Sequence, residues 1–108
     1  MSLANATLST SPISVFTCVN AGGSAVVSIM ITNTDSVSRT VDVHACPAAV
    51  ASAAEANAAE NLIFSKEIPA GDTFVFSEKI LLGNNDDLKM LTTATATDVV
   101  ATVSYLDL

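Results

Sequence analysis

The chain has 108 residues, enough for one domain (1–108), and half of them are apolar, although Trp is absent and aromatic residues are few. Eleven acidic residues against four Lys and Arg give a net charge of −7, which argues against binding to nucleic acid or to an anionic membrane. No apolar run reaches the length of a membrane helix, and residues 1–5 lack the features of a secretory signal, so we expect a protein that is used without crossing a membrane.

Short runs rich in Val, Ile and Thr recur along the whole chain and alternate with turn residues. Side chains branched at Cβ fit a pleated sheet better than a helix, so each run predicts a strand. Gly, Asn, Asp, Ser and Pro between the runs predict tight connections. In chain order, the predicted strands cover residues 6–10, 13–19, 25–32, 39–46, 62–68, 73–82, 88–95 and 99–106.

The run 25–32 is the most apolar. Its alternation predicts Val27, Ile29 and Ile31 on one face and Val26 and Met30 on the other. Apolar residues on both faces indicate a central strand, or a strand with one face against another subunit.

The run 39–46 alternates cleanly between the predicted faces. Val41, Val43 and Ala45 are expected to point inward. Thr40, Asp42 and His44 are then expected to point outward.

Residues 48–60 break the strand pattern after Pro47. They include eight Ala and two Glu but no Gly or Pro. Because Ala has the highest helix propensity, we predict a short helical insertion here, with a mobile surface excursion as the alternative.

About eight short strands with regular turn signals indicate an all-β fold. We predict one antiparallel β-sandwich domain, either a jelly roll or immunoglobulin-like. Residues 1–10 are interpreted as an N-terminal arm that can add to the sheet edge of a neighbour.

His44 is the only histidine, with Asp42 and Cys46 two residues away on the same strand. Side chains at this spacing on a strand are about 7 Å apart, beyond direct hydrogen-bond reach. We therefore interpret His44 as a surface or interface residue, at most a pH-sensitive contact.

The other candidates for chemistry are also explained by structure alone. Cys18 and Cys46 do not form a C-x-x-C motif, and we expect two reduced, partly buried thiols, with a bridge between strands as the alternative. Residues 84–87 are rich in oxygen atoms but lack the spacing of a calcium loop, so they are read as a hairpin tip. The sequence predicts no catalytic residue, no cofactor and no metal site.

The order of several segments carries a resemblance to known proteins. The segments are LANATLST (3–10), GGS (22–24), IMITNTDSVSRTV (29–41), VHACP (43–47), NLI (61–63), IPAGDT (68–73) and ATVSY (101–105). Across nearly the whole chain, this order resembles small β-sandwich virion proteins of tailed bacteriophages, especially those of cyanobacterial and marine hosts. The Ala-rich insertion departs from the more Gly-rich one expected there.

The resemblance implies a non-enzymatic virion protein, made in the host cytoplasm and present in many copies. A capsid decoration (cement) subunit is the leading interpretation, with a location at the neck or tail left open. Its implied partners are copies of itself, as a trimer or higher oligomer, and the major capsid or tail proteins. The alternative is a neck, tail or fibre-associated module that recognises a carbohydrate or another virion protein.

Apart from the resemblance, the strands carry more apolar surface than the inside of a thin sandwich can bury. The excess indicates contacts between subunits. The residues expected at such contacts are Leu3, Leu8, Met30, Val100, Leu106 and Leu108.

Overall fold

The computed structural model describes residues 2–47, 61–92 and 98–108. The strands in these ranges are β1 (Ser2–Thr7), β2 (Ile13–Thr17), β3 (Ser24–Asn33), β4 (Arg39–Cys46), β5 (Leu62–Ile68), β6 (Thr73–Phe76), β7 (Ile80–Leu82), β8 (Asp87–Thr92) and β9 (Val99–Asp107). The described ranges contain no α-helix, and so none that could span a bilayer. The helix predicted at 48–60 lies outside the described residues.

The strands form two antiparallel sheets. The five-stranded sheet has the order β1-β9-β3-β6, with β7 also paired to β3, and the four-stranded sheet has the order β2-β8-β4-β5. The first strand therefore pairs with the last, the second with the one before the last, and so on inward to the β4–β5 pair. This nested order is that of a jelly roll. The predicted all-β antiparallel sandwich is confirmed, and of the two types expected the strand order selects the jelly roll.

The core lies between the two sheets. Its fully buried members come from both, including Ile29 and Val103 from the five-stranded sheet and Val43 and Met90 from the four-stranded sheet. Burial of one such side chain stabilises the fold by about 1.5–3 kcal/mol. The rings of Phe16 in β2 and Tyr105 in β9 cross the space between the sheets, with centroids 4.1 Å apart.

A β-bulge in β3 changes which of its residues face the core. Val26 lies opposite Tyr105 of β9, but the next pair joins Ser28 to Ser104, so Val27 is the extra residue. Because an extra residue reverses the alternation, Val26 is buried on the same side as Ile29 and Ile31. The prediction that Val26 lies on the face opposite to Ile29 and Ile31 is therefore wrong.

The predicted strand at 73–82 is two strands, β6 and β7, separated by residues 77–79. The turn before β6 was predicted correctly: Asp72 N–H donates to the Pro69 carbonyl over 3.1 Å, and Gly71 has a positive φ of 72°. The strand predicted at 88–95 begins one residue earlier, at Asp87, and is described as far as Thr92.

The N-terminal residues belong to the chain's own sheet. Residues 2–7 pair with β9 throughout, from Ser2 opposite Tyr105 to Thr7 opposite Val100, so they form an edge strand rather than a separate arm. Leu8, expected at a subunit contact, is 1% exposed and belongs to the core. Its position is explained by the chain crossing between the sheets after β1, which carries this side chain inside.

Candidate functional site

The most unusual surface of the molecule is the outer side of the five-stranded sheet. We call it the uncharged face, because among its described outward-facing strand positions none carries a charge. The register of the strands places these residues on it: Leu3, Asn5, Thr7, Ala25, Ser28, Met30, Thr32, Thr73, Val75, Leu81, Val100, Thr102, Ser104 and Leu106.

Most of the large apolar side chains that the described strands expose lie on the uncharged face. Met30 is 43% exposed and lies opposite Val75, which is 53% exposed. Nearer one end, Ala25 lies between Leu81 of β7 and Leu106 of β9, which are 71% and 45% exposed. The exposed apolar side chains therefore form two groups that span adjacent strands, separated along β3 by Ser28, rather than isolated points.

The polar groups of the uncharged face are mainly hydroxyls, and some bond to one another. Thr32 and Thr73 lie opposite each other, and their hydroxyl oxygens are 3.0 Å apart. A hydroxyl that already has a partner loses less when water is removed than a charged group does. The uncharged face therefore combines apolar area with polar groups whose desolvation costs little free energy.

The outer side of the four-stranded sheet has the opposite character. Asp87 accepts hydrogen bonds from the Ser14 hydroxyl over 2.6 Å and the Thr17 hydroxyl over 3.1 Å, and Lys89 Nζ lies 3.3 Å from its other oxygen. Asp42 accepts a hydrogen bond from the Ser65 hydroxyl over 2.5 Å. The charged and hydrogen-bonded carboxylates of the strands are thus concentrated on this second face.

The structure brings four of the six predicted contact residues together. Leu3, Met30, Val100 and Leu106 all lie on the uncharged face, although they come from three different strands. Leu108 is 61% exposed but follows the end of β9, where its N–H donates to the Gly23 carbonyl over 3.0 Å.

Two prominent members of the face, Val75 and Leu81, were not predicted. The signal for both was present in the sequence. Phe74, Phe76 and Ile80 are large apolar residues that pack against the core, and the residues next to them on a strand, Val75 and Leu81, must then point outward.

His44 is not on the surface as expected. It is 3% exposed, although its cross-strand neighbour is Lys89 on the outer side of the sheet, and its Nδ1 has no hydrogen-bond partner. Burial lowers the pKa of His44 because it disfavours the charged imidazolium, and the nearby carboxylate of Asp42 opposes this shift. The side chain is therefore held neutral near pH 7.

Neither cysteine forms a disulfide, as predicted, and both are fully buried rather than partly buried. Burial raises the pKa of the Cys46 thiol, the negative charge of Asp87 raises it further, and Lys89 opposes the shift. A raised pKa keeps the sulfur protonated, which is the opposite of what a nucleophile needs. Cys18 donates to the Ser24 hydroxyl, with a sulfur–oxygen distance of 3.2 Å.

The acidic hairpin tip around residue 84 is held by hydrogen bonds within the turn. The Gly83 N–H donates to the Asp86 carboxylate over 2.9 Å, and the Asp86 N–H donates to the Gly83 carbonyl over 3.0 Å. Within 2–47, 61–92 and 98–108, no group of three or more His, Cys, Asp or Glu side chains is placed to hold a metal ion.

Three phenylalanines close the sandwich where β5 and β6 run along its open side. The ring of Phe64 lies 4.7 Å from that of Phe76 and 5.6 Å from that of Phe74, and Lys66 Nζ lies 5.3 Å from the centre of the Phe74 ring. A carbohydrate site usually presents open aromatic faces, whereas these rings contact one another. The cluster is accounted for by its role in closing the core.

Comparisons with known proteins identify no relative: no family model, no curated protein and no solved structure matches the chain.

Proposed function

We propose that this protein is a non-enzymatic structural subunit of a tailed-bacteriophage particle. Its leading role is capsid decoration, in which the uncharged face attaches to the protein shell of the particle. The observation that carries the proposal is the separation of surface types: one face without charge and with exposed Met30, Val75, Leu81 and Leu106, and one face with ordered carboxylates.

The net charge of −7 supports a protein surface as the partner. A phosphate backbone or an anionic lipid surface is repelled by such a chain. A protein shell can meet the uncharged face without opposing any charge there, and removal of water from apolar side chains then favours binding.

The size of the uncharged face also fits this role. Because β6 and β7 lie one after the other along the same side of β3, the sheet is four strands wide at any level. Four strands spaced about 4.8 Å apart, with about six residues each rising about 3.3 Å, cover roughly 19 by 20 Å. This flat area is about half of the roughly 800 Å² that each partner buries in a stable interface of standard size. With side-chain relief and neighbouring loops included, one face is sufficient for attachment.

The virion assignment is supported by the segment order that resembles small phage virion proteins. Jelly rolls occur in viral capsid domains and also in lectins, so the fold is compatible with the assignment but does not decide it.

The test compares two matched substitutions on opposite faces. Met30→Glu introduces a carboxylate into the uncharged face at a side chain that is 43% exposed. Leu62→Glu does so on the other sheet, at an outward residue that is 42% exposed. The two variants have the same charge, so a difference between them reports the face.

Binding is measured by cosedimentation with purified particles of the phage that encodes the chain, after circular dichroism has shown that each variant is folded. We expect Met30→Glu to bind at least about tenfold more weakly and Leu62→Glu to bind like the parent, because a buried unpaired charge costs several kcal/mol. Equal binding by both variants would contradict the role of the face. Absence of the protein from the particles would refute the virion assignment.

A further inference from the structure

The sheet edges differ in how well they are protected against pairing with another strand. Edge strands are usually protected by charged residues, Pro, bulges or interruptions. At one edge of the four-stranded sheet, β5 carries Lys66 and Glu67. The β6–β7 edge of the five-stranded sheet is interrupted at residues 77–79, which include Glu78 and Lys79. Residues 13–17 form a short edge strand with a register shift.

The edge strand β1 has none of these protections in residues 2–7. Its sequence, SLANAT, contains no charge and no Pro, and it pairs with β9 without a register shift. Among the edges of the described sheets, β1 is therefore the one most open to another strand.

The hydrogen-bonding pattern shows which backbone groups of β1 face outward. Leu8 N–H donates to the carbonyl of Val99, its direct opposite, over 2.8 Å. Directly opposed residues alternate between bonded and non-bonded pairs in an antiparallel ladder. The residues at even positions of β1 therefore bond to β9, and the N–H and C=O groups of Leu3, Asn5 and Thr7 point away from the sheet.

We propose that a second copy of this chain pairs with this edge, β1 against β1, about a two-fold axis through Asn5. The proposal deepens the proposed function, because it names how copies of the subunit associate. In this register Leu3 lies opposite Thr7 of the second copy, and Asn5 lies opposite its own equivalent. Each of these pairs exchanges two backbone hydrogen bonds, about six in total.

Charge and shape favour a second copy as the occupant. Two chains of net charge −7 repel each other at most approaches, but neither β1 nor the adjoining uncharged face has a charge to oppose. The inward residues beside the edge, Ala4 and Ala6, are small and leave room for a neighbouring domain. Pairing also keeps outward side chains on one side, so the uncharged faces of both copies join into one continuous surface.

The test uses Pro and Ala at the axis. Asn5→Pro removes an N–H that points away from the sheet, so it leaves the pairing with β9 intact, as Pro on an edge strand does. Asn5→Ala removes the same side chain but keeps the N–H. Sedimentation equilibrium at protein concentrations from about 1 to 300 μM should show a dimer for the parent and for Asn5→Ala. Asn5→Pro should dimerise at least tenfold more weakly.

A second variant covers the case in which Asn5→Pro does not fold. Asn5→Lys keeps the backbone groups and places two positive charges next to each other at the axis, so it should also weaken the dimer at least tenfold. Dimerisation of folded Asn5→Lys or Asn5→Pro like the parent overturns the proposal. A parent that stays monomeric, or that forms a trimer without a dimer, overturns it as well.

The same variants separate this proposal from the proposed function. Met30 lies on β3, away from the edge, so Met30→Glu should keep the β1 dimer and lose binding to particles. If Asn5→Pro loses the dimer while Met30→Glu binds particles like the parent, the edge contact stands and attachment through the face fails. If Met30→Glu loses binding while Asn5→Pro keeps the dimer, the reverse holds.

Discussion

Asn33, the last residue of β3, is a fully buried polar side chain that ties three segments together. Its Nδ2 donates to the Ile68 carbonyl over 3.0 Å and to the Val37 carbonyl over 2.9 Å, and its Oδ1 accepts the Asp35 N–H over 3.0 Å. These bonds hold the end of β5 and the connection from β3 to β4 against the end of β3. We expect Asn33→Leu, which has a similar volume, to destabilise the fold strongly.

The magnitude follows from which partners are left without a bond. The Ile68 carbonyl is buried at this contact and is left unsatisfied, at a cost of about 1–3 kcal/mol. The bonds to Val37 and Asp35 are part-buried and contribute about 0.5–1.5 kcal/mol each. The added apolar surface of Leu returns about 1 kcal/mol. The net loss is about 3 kcal/mol, a large part of the 5–15 kcal/mol typical of a domain.

The free energy of unfolding is measured by urea denaturation and followed by the fluorescence of Tyr105, the only tyrosine in a chain without Trp. Asn84→Leu, the same change at an exposed turn, is the control and should alter stability by less than about 0.5 kcal/mol. A loss below about 1 kcal/mol for Asn33→Leu, with an unchanged urea slope, would show that water replaces these bonds and would refute the reasoning.

The other predictions concern backbone strain and pH. Gly23→Ala should lose about 2 kcal/mol in urea denaturation, because Gly23 has a φ of 89° and an added Cβ would lie 2.8 Å from the Leu82 carbonyl oxygen; a neutral result would contradict this. Burial lowers the pKa of His44, so the contribution of its neutral form to the free energy of unfolding should be fully present above the ordinary value of 6.5 and should fall as the pH drops below it. The urea midpoint of the parent should therefore fall between pH 7.5 and 5.5, and that of His44→Gln should stay flat. The hydrogen bond from Arg39 lowers the pKa of Asp35, so the stabilisation from the Asp35 carboxylate is present above pH 3.8 and is lost as the pH falls through the lowered value. Arg39→Gln should make the acid unfolding curve below about pH 4 less steep. An unfolding curve identical to that of the parent would count against the ion pair.

The strands whose bounds were predicted to the residue are those that end at a clear strand-terminating residue. β4 (Arg39–Cys46) and β5 (Leu62–Ile68) have the predicted bounds. In both cases a Pro follows the strand, at 47 and 69, and Pro cannot donate the N–H that would continue a ladder. Local chemistry was sufficient to place these ends.

The errors arose where a residue's environment depends on distant parts of the chain. The bulge at Val27 depends on how β3 pairs with β9, more than seventy residues later, and alternation alone cannot reveal it. Leu8 lies in a connection, and connections are usually on the surface, but this one crosses into the core. His44 follows the outward alternation and is nevertheless buried, so its face was predicted correctly and its exposure was not.

The candidate surface was predicted in part for the same reason. Apolar residues on the outward side of single strands identified Met30 and Leu106. The pairing of β3 with β6 places Val75 beside Met30. The pairing of β3 with β7 and β9 places Leu81 in one row with Leu106. Neither arrangement can be read from a single strand. Single-strand patterns therefore indicate which apolar residues point away from the core. The strand order shows that these residues lie on one face of the sheet.

The contrast between the two outer faces cannot be explained by folding alone. Outward positions on a sheet tolerate charged residues, as Asp42, Glu67, Asp87 and Lys89 demonstrate on the four-stranded sheet. Charges at such positions also improve solubility and oppose association, so a monomer would gain from them on both faces. The five-stranded sheet lacks them throughout its described outward positions and ends in an unprotected β1 edge. Face and edge are adjacent and share the same lack of protection, which is expected if the region is covered by protein in the working assembly and is not expected if it remains in water.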